Sequence, residues 1–318
     1  VPQVNDSYEM PVKPILDTIN EIIGAAAVTG RQGSALFPDT QVAVMRGGGE
    51  AGWYLLANPA SVIGAHAHAG RLGFELWHGG MPLLIESGCC NYDDPALVSW
   101  YRTTRAHNSV LIDGVTEAAT SSQVLWVPRR ETPNRITDWN PAAELPSLTM
   151  VSPPEEATNA NVRWSRKITL VREHIAVISD SFEAAGDHSD EILLHFPPSD
   201  VNVLSSGKGI MVKQPGGSAT PVAPAVIHSV TPDDKGNFTL SSGLVSIRAT
   251  STAAPVASYS LRAAGNTYSH LLVIASNGKN GTPVFRTRTR KGVTTVTVRE
   301  RGRAGTRINI EGNSVSIT

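Results

Sequence analysis

The sequence predicts a mainly β protein, a large antiparallel β-sandwich of the supersandwich type, with one N-terminal helix. Short β-prone runs alternate with turn signals from about residue 35 to the end of the chain. Only one segment shows helical periodicity. The 28 Gly and 21 Pro residues provide many turn positions. Many short strands at this spacing are typical of an antiparallel sandwich.

The one predicted helix lies near the start of the chain. Pro14 suits a first helical turn, apolar residues recur at helical spacing from Ile15 to Ala26, and the pattern ends at Gly30. We therefore expect a helical segment at 1–30 and the sandwich at 31–318. The apolar face of the helix either packs on the sandwich or is a remnant of a helical domain outside this sequence.

The strand predictions follow the β-prone runs. They are 41–46, 53–57, 73–77, 82–86, 109–113, 167–171, 174–180, 191–196, 238–242, 244–250, 268–276, 294–301, 307–312 and 314–318. The sequence His78-Gly79-Gly80-Met81 predicts a hairpin turn between two of these runs. The Gly47-Gly48-Gly49 run precedes no helical pattern, so it predicts a turn rather than a phosphate-binding loop.

Composition limits the possible partners. The net charge is −1 and the pI is near 6.8, so no overall field attracts nucleic acid or an anionic membrane. No apolar run is long enough to span a bilayer. The two cysteines, Cys89 and Cys90, are adjacent, and we expect buried free thiols. A start without Met and a Gly-, Ser- and Thr-rich composition suggest a processed, secreted or periplasmic protein.

The residues that carry chemistry concentrate between His66 and Gly114, where four of the nine histidines occur. His66 and His68 are two apart, so a strand would present both imidazoles on one face. His68, Glu86 and His107 could together supply three zinc ligands from neighbouring strands. Two imidazoles and one carboxylate suit zinc better than calcium or magnesium.

One geometric requirement accompanies this zinc prediction. A hairpin turning at Gly79-Gly80 places Glu86 opposite roughly Gly73, several residues beyond His68 along the chain. A direct meeting of Glu86 and His68 therefore requires a bulge or bend. Gly70 and Gly73 are the residues that would permit one.

The order of motifs resembles the heparinase II/III-like family of polysaccharide lyases, which includes alginate lyases. An H-x-H pair is followed by a hairpin, a Glu-Ser-Gly step, a Tyr, and then Tyr-Arg-x-Thr-x-x-His-Asn before a hydrophobic strand. Flanking runs such as LFPDTQVAVMR and WSRKITLVREHIAVISDSF are also similar to family strands. The resemblance covers roughly residues 36–196.

The resemblance implies a two-part enzyme, with an N-terminal (α/α) toroid and this sandwich enclosing the active site. Family members cleave uronate-containing polysaccharides by β-elimination, and several bind zinc. By position the zinc ligands match His68, Glu86 and His107, and the metal would be mainly structural. The family more often has Asp at the position of Glu86, and also at that of Gly70.

The resemblance also implies roles in catalysis. The family's cleft histidine matches His66, and its cleft tyrosine best matches Tyr92, so these two are the candidates for proton transfer. Tyr101 is the less favoured tyrosine, and we expect it to bind the acidic polysaccharide together with Arg102 and Arg105. A toroid, as a separate chain or domain, would supply the rest of the catalytic groups.

Two other functions remain open. A non-catalytic carbohydrate-binding or assembly module would keep the sandwich and lose the chemistry, and the departures at Gly70 and Glu86 favour it. A zinc hydrolase would use the same three ligands to activate water. Its products would be saturated, whereas a lyase leaves a C4–C5 double bond.

Overall fold

The computed structural model describes residues 33–49, 51–59, 68–116, 134–154, 162–214, 216, 222–232, 235–247, 249–263, 265–276, 282–301 and 304–318. The predicted N-terminal helix and His66 lie outside these residues. Within them nearly all of the regular secondary structure is β-strand, and the prediction of a large antiparallel sandwich is confirmed. No helix in this described part is long and apolar enough to cross a membrane.

The first half of the described chain forms strands β1 Ala35–Phe37, β2 Val42–Gly47, β3 Trp53–Asn58, β4 Gly73–His78, β5 Met81–Leu84, β6 Val110–Ile112, β7 Arg135–Asn140, β8 Ser147–Ser152, β9 Arg163–Arg172, β10 Ile175–Glu183 and β11 His188–His195. The second half forms β12 Asp200–Val203, β13 Gly209–Lys213, β14 Ala225–Ser229, β15 Asn237–Ile247, β16 Thr250–Ala263, β17 Thr267–Ser276, β18 Val284–Arg290, β19 Val293–Arg299, β20 Thr306–Glu311 and β21 Ser314–Ile317. A π-helical turn, Leu97–Tyr101, and a 3-10 turn, Thr104–Ala106, precede β6.

The described strands form four antiparallel sheets. An eight-stranded sheet has the order β12-β13-β14-β17-β10-β9-β8-β7, and a five-stranded sheet runs from β1 to β5 in sequence order. Two four-stranded sheets have the orders β15-β16-β11-β6 and β18-β19-β20-β21. We call the last one the C-terminal sheet.

The eight-stranded sheet is the middle layer, because both faces of its central strands are buried. Along β10, Ala176 and Ile178 enter the main core, which they share with the five-stranded sheet and with β6, β11, β15 and β16. The alternate residues Ile175 and Val177 enter a second core, shared with the C-terminal sheet. Successive side chains of a strand point to opposite faces, so one apolar run serves two cores.

Both predicted glycine turns are present. Gly79 and Gly80 connect β4 to β5 with φ angles of +58° and +74°, as a two-residue hairpin requires. Gly48 and Gly49, also at positive φ, connect β2 to β3. Both cysteines are free thiols, as predicted, with Cys90 buried and Cys89 partly so.

Candidate functional site

A turn immediately before β4 positions the first histidine of the site. The Gly73 N–H donates to the Gly70 carbonyl at 3.0 Å, and Leu72 lies in the left-handed region at φ +50°. The Ala69 N–H donates to the carbonyl of Arg102, also at 3.0 Å. The chain therefore bends between Gly70 and Gly73, where the sequence suggested a bend, and His68 faces the segment that precedes β6.

Three predicted site residues come together around this turn. His107 Nδ1 hydrogen-bonds Glu86 Oε2 directly, and the rings of His68 and His107 have centroids 5.5 Å apart. His107 is only 5% exposed, and within the described residues its buried Nε2 atom has no hydrogen-bond partner. Two imidazoles and a carboxylate thus share one small, largely buried site.

The arrangement is that of a hydrogen-bonded pair with a third donor nearby. Within the described part of the chain, no three His, Cys, Asp or Glu side chains lie as ligands around a single metal ion would. The type of donor atom suits zinc, since imidazole nitrogen and carboxylate oxygen are both zinc ligands. The donor atoms are therefore of the right kind for zinc. The hydrogen bond between His107 and Glu86 already uses one ring nitrogen of His107 and one carboxylate oxygen of Glu86.

Glycine is required at position 70 by the His107 ring. A Cβ atom on Gly70 would lie 3.0 Å from both Cγ and Nδ1 of His107. That is tighter than an ordinary van der Waals contact, so any side chain here would displace the imidazole. An Asp at this position, as in the related family pattern, would need a different placement of His107.

A buried polar network fixes the backbone on which Glu86 and His107 stand. The fully buried Asn108 side chain donates to the carbonyls of Phe74 and Ile85, both at 2.9 Å, and accepts from the His195 N–H at 2.8 Å. It thereby joins β4, the segment after β5, and β11. The Asn108 N–H also donates to Glu86 Oε1 at 3.1 Å.

The network continues into the core through a buried ion pair. Arg166 Nη1 donates to the Asn108 carbonyl at 2.7 Å and to the Leu72 carbonyl at 3.1 Å. Its Nε and Nη2 atoms donate to the two carboxylate oxygens of Asp180 at 2.7 and 2.9 Å. Because both side chains are about 1% exposed, this bidentate pair forms a rigid support beneath the site.

Burial also shifts the pKa values of two groups near the site. Desolvation, assisted by the nearby His107, lowers the pKa of His195 to about 3, so this imidazole is neutral at physiological pH. Its Nδ1 lies 3.5 Å from the Ser87 hydroxyl. Burial raises the pKa of Glu75 to about 7; the hydrogen bond from Trp77 lowers it and the nearby Glu86 carboxylate raises it by smaller amounts within that net shift.

The remaining predicted residues are divided between surface and core. Tyr92 is 43% exposed, and Arg105 is exposed and pairs with Glu191 at 3.1 Å. Tyr101 is fully buried and donates to the Ser251 hydroxyl at 3.1 Å, and Arg102 is 8% exposed. We predicted that Tyr101 and Arg102 bind substrate. In the structure neither side chain is accessible for such a contact, because the turns before β6 direct both side chains inward.

Sequence reasoning missed the supporting network. The sequence patterns identify Asn108 only as part of a motif, and they assign no role to Arg166 or Asp180. A signal was available for Asp180, since a charged residue that follows the apolar run of β10 is buried and needs a partner, whereas Arg166 lies between Ser165 and Lys167 and gives no such signal. His195, in the run Leu-Leu-His-Phe, carries the same signal.

The fold and the site together define the class of protein. Residues 29–288 match the family described as heparinase II/III-like, C-terminal. The chain therefore belongs to the heparinase II/III-like family, and its resemblance to that family is confirmed. A search of curated proteins found no match.

Solved structures share this fold. The heparan sulfate lyase HepC from Pedobacter heparinus is 16% identical, with a TM-score of 0.73 over 100% of this chain and 50% of that chain. A heparinase III gene product is 16% identical, with a TM-score of 0.71 over 98% and 49%. Another heparinase III structure is 14% identical, with a TM-score of 0.70 over 98% and 50%. The chain spans about half the length of these proteins.

Proposed function

We propose that this chain is the β-sandwich part of a polysaccharide lyase that cleaves uronic-acid-containing polysaccharide by β-elimination. The observation that carries the proposal is the family match over residues 29–288. Solved proteins of the same fold are named heparinase III and heparan sulfate lyase, so an acidic polysaccharide is the substrate class. Such a polymer is met outside the cytoplasm, which agrees with a secreted or periplasmic location.

The reaction needs groups of three kinds. The C5 proton of a uronate is a weak acid until the charge of the neighbouring carboxylate is offset by hydrogen-bond donors. A base must then remove that proton while an acid protonates the departing C4 oxygen. We assign proton transfer to His66 and Tyr92, and attraction of the polyanion to Arg105.

The sandwich requires a partner to complete this set. The chain covers about half of its solved relatives, and we propose that an (α/α) toroid, in the same or a separate chain, forms the opposite wall of the cleft. Tyr92 is exposed, as a side chain at such a boundary must be before the partner covers it.

We further propose that His68, Glu86 and His107 hold a structural zinc ion. The proximity of the three donors and the buried Nε2 atom of His107 support this assignment. When bound, zinc would fix the positions of the turn before β4 and of the segment before β6. These residues would then keep the neighbouring reactive groups in place without taking part in proton transfer.

Metal analysis of the purified 318-residue chain tests the zinc assignment independently of activity. We expect about one zinc per chain, and loss of that zinc in His107→Gln. His228→Gln is the matched control, because this ring lies in β14, outside the three-donor site, and should leave the metal content unchanged. A metal-free wild-type chain would refute the assignment and leave a hydrogen-bonded pair in its place.

The lyase proposal is tested by the ultraviolet absorbance of unsaturated uronate. The protein is assayed with any copurifying helical chain against heparan sulfate, hyaluronan and alginate. We expect a rise on one polymer, and a fall in turnover of about 100-fold or more in the double variant His66→Gln/Tyr92→Phe. The control double variant His228→Gln/Tyr54→Phe changes the same residue types elsewhere and should keep full turnover.

Other outcomes separate the rival functions. A flat trace in a sample that contains the helical partner, with glycan binding retained, would contradict lyase activity and identify a non-catalytic carbohydrate-binding module. Cleavage into saturated products would identify hydrolysis. Unchanged turnover in the His66 and Tyr92 double variant would refute the two assigned roles.

A further inference from the structure

The C-terminal sheet has one apolar face and one basic face. Val296, Val298, Ile308 and Ile310 are buried against the middle layer in the second core. The neighbouring residues in sequence point the other way, because side chains alternate along a strand. On β18 this outer face carries Arg286, Arg288 and Arg290, all exposed.

The strand register collects further arginines on the same face. Arg286 pairs with Thr297 on β19, and Thr297 pairs with Arg307 on β20. Arg288 is aligned in the same way with Thr295 and then Asn309. Adjacent strands are about 4.8 Å apart, so the backbones of Arg286 and Arg307 are roughly 10 Å apart.

The outer face therefore carries a set of closely spaced guanidinium groups. We call this set the arginine face; it consists of Arg286, Arg288, Arg290, Arg299 and Arg307 with the intervening Thr295, Thr297 and Asn309. Two adjoining shallow concavities of about 570 and 580 Å³ lie on it and share Thr297, Arg307 and Thr318.

The charge on this face is not neutralised by the protein. Among the described residues, none of the five arginines forms an ion pair or a side-chain hydrogen bond. By contrast, Arg166 and Arg105 elsewhere have carboxylate partners. Two acidic residues are nearby: Glu311 lies on the outer face at the end of β20, and Glu300 lines one of the concavities but is buried and pairs with His174 at 3.4 Å. Five arginines therefore lie together, with Glu311 as the exposed acidic residue on the same face, on a chain whose net charge is −1.

Such an arrangement suits a ligand that is itself a chain of anions. Planar guanidinium groups bind carboxylates and other oxyanions with paired hydrogen bonds. The hydroxyl and amide groups of Thr295, Thr297 and Asn309 lie between the arginines, where they can form hydrogen bonds with the hydroxyl groups of sugars. The one aromatic residue of β18, Phe285, is on the opposite face and stacks on His228, so the described residues of the arginine face offer no aromatic ring on which nucleic-acid bases could stack.

We propose that the arginine face is a second, non-catalytic binding surface for acidic polysaccharide. It is separated from the His68, Glu86 and His107 site by the eight-stranded middle layer, because the C-terminal sheet packs on the opposite side of that layer. Three of its four strands lie beyond residue 288, where the family match ends. Its role is to retain the polymer near the protein, and binding there requires no cleavage.

The test is fluorescence anisotropy of labelled oligosaccharides with the full chain. The probes are heparan sulfate and alginate oligosaccharides, with neutral dextran and duplex DNA of similar length as comparisons. We expect the triple variant Arg286→Gln/Arg288→Gln/Arg307→Gln to raise the Kd for the acidic glycans about tenfold or more. Added salt should weaken binding by the wild type more than binding by the variant.

The matched control is Arg135→Gln/Arg163→Gln/Arg262→Gln, which removes the same charge from three exposed positions on β7, β9 and β16. It should change Kd by less than about twofold. Equal weakening in both triple variants, or no weakening in the first, would overturn the proposal. Duplex DNA bound as tightly as the acidic glycans would overturn the assignment to polysaccharide. Chromatography of the recovered probe separates binding from cleavage, so failure of the lyase proposal leaves this test intact.

Discussion

Removal of the Asn108 side chain should destabilise the whole protein and disturb the candidate site. Asn108→Ala deletes three hydrogen bonds made by a fully buried side chain, and leaves two carbonyls and one N–H without their partners. An unsatisfied buried group costs about 1–3 kcal/mol. We therefore expect the free energy of unfolding to fall by about 3–5 kcal/mol, a large part of the 5–15 kcal/mol typical of a domain.

Urea denaturation of the 318-residue chain, followed by tryptophan fluorescence and far-ultraviolet circular dichroism, measures this loss. Asn140→Ala is the control, because its side chain is exposed and, among the described residues, donates only to Asp138 in its own strand; its cost should be below about 0.5 kcal/mol. A loss below about 1 kcal/mol for Asn108→Ala, with an unchanged m-value, would show that the network does not support the site.

Two further predictions concern the surroundings of the site. The His195 imidazole stays neutral when folded but gains a proton below about pH 6.5 when unfolded, so it makes stability fall as pH falls toward 3. In urea titrations, His195→Gln should reduce that slope by up to about 1.4 kcal/mol per pH unit, and an unchanged slope would contradict the neutral form. Gly70→Ala should destabilise the fold by about 1–3 kcal/mol through crowding of His107, whereas Gly33→Ala, with open space around it, should not; equal melting temperatures would contradict this.

Local sequence patterns predict most of the strands, but they do not predict where two β-prone runs form one continuous strand. The runs 238–242 and 244–250 were predicted as separate strands, yet β15 continues through Gly243. A Cβ atom there would lie 2.4 Å from Cζ2 of Trp100, so glycine is required by a long-range contact rather than by a turn. The residues around Gly243 in the sequence do not indicate that Trp100, from a distant segment, packs against it.

The long strand β16 was not predicted, for a different reason. Its residues are mainly Ala, Ser and Thr, and it contains Pro255, which normally argues against a central strand. In the structure β16 lies between β15 and β11, and the Pro255 carbonyl still accepts from the Phe196 N–H at 3.2 Å. Tertiary pairing has outweighed weak local propensity here.

In the candidate site, too, local motifs predict some features and long-range packing determines the others. The motif order predicts that His68, Glu86 and His107 share one site. In the structure His107 hydrogen-bonds Glu86 and its ring centroid lies 5.5 Å from that of His68, while their role as metal ligands stays a prediction. The burial of Tyr101 could not be predicted, because its hydrogen-bond partner Ser251 is 150 positions away. Residue types at short spacing identify the chemistry, whereas long-range packing determines which side chains remain accessible.

The buried and the exposed residues of the candidate site are expected to have different roles. Glu86 and His107 are held by backbone hydrogen bonds and by the Asn108 network, and neither is free to follow a flexible polymer. Tyr92 and Arg105 are exposed, and in the proposed function these are the side chains that meet the polysaccharide and the helical domain. Substitutions in the buried set should therefore act first on stability and metal content, and substitutions at the exposed positions on turnover.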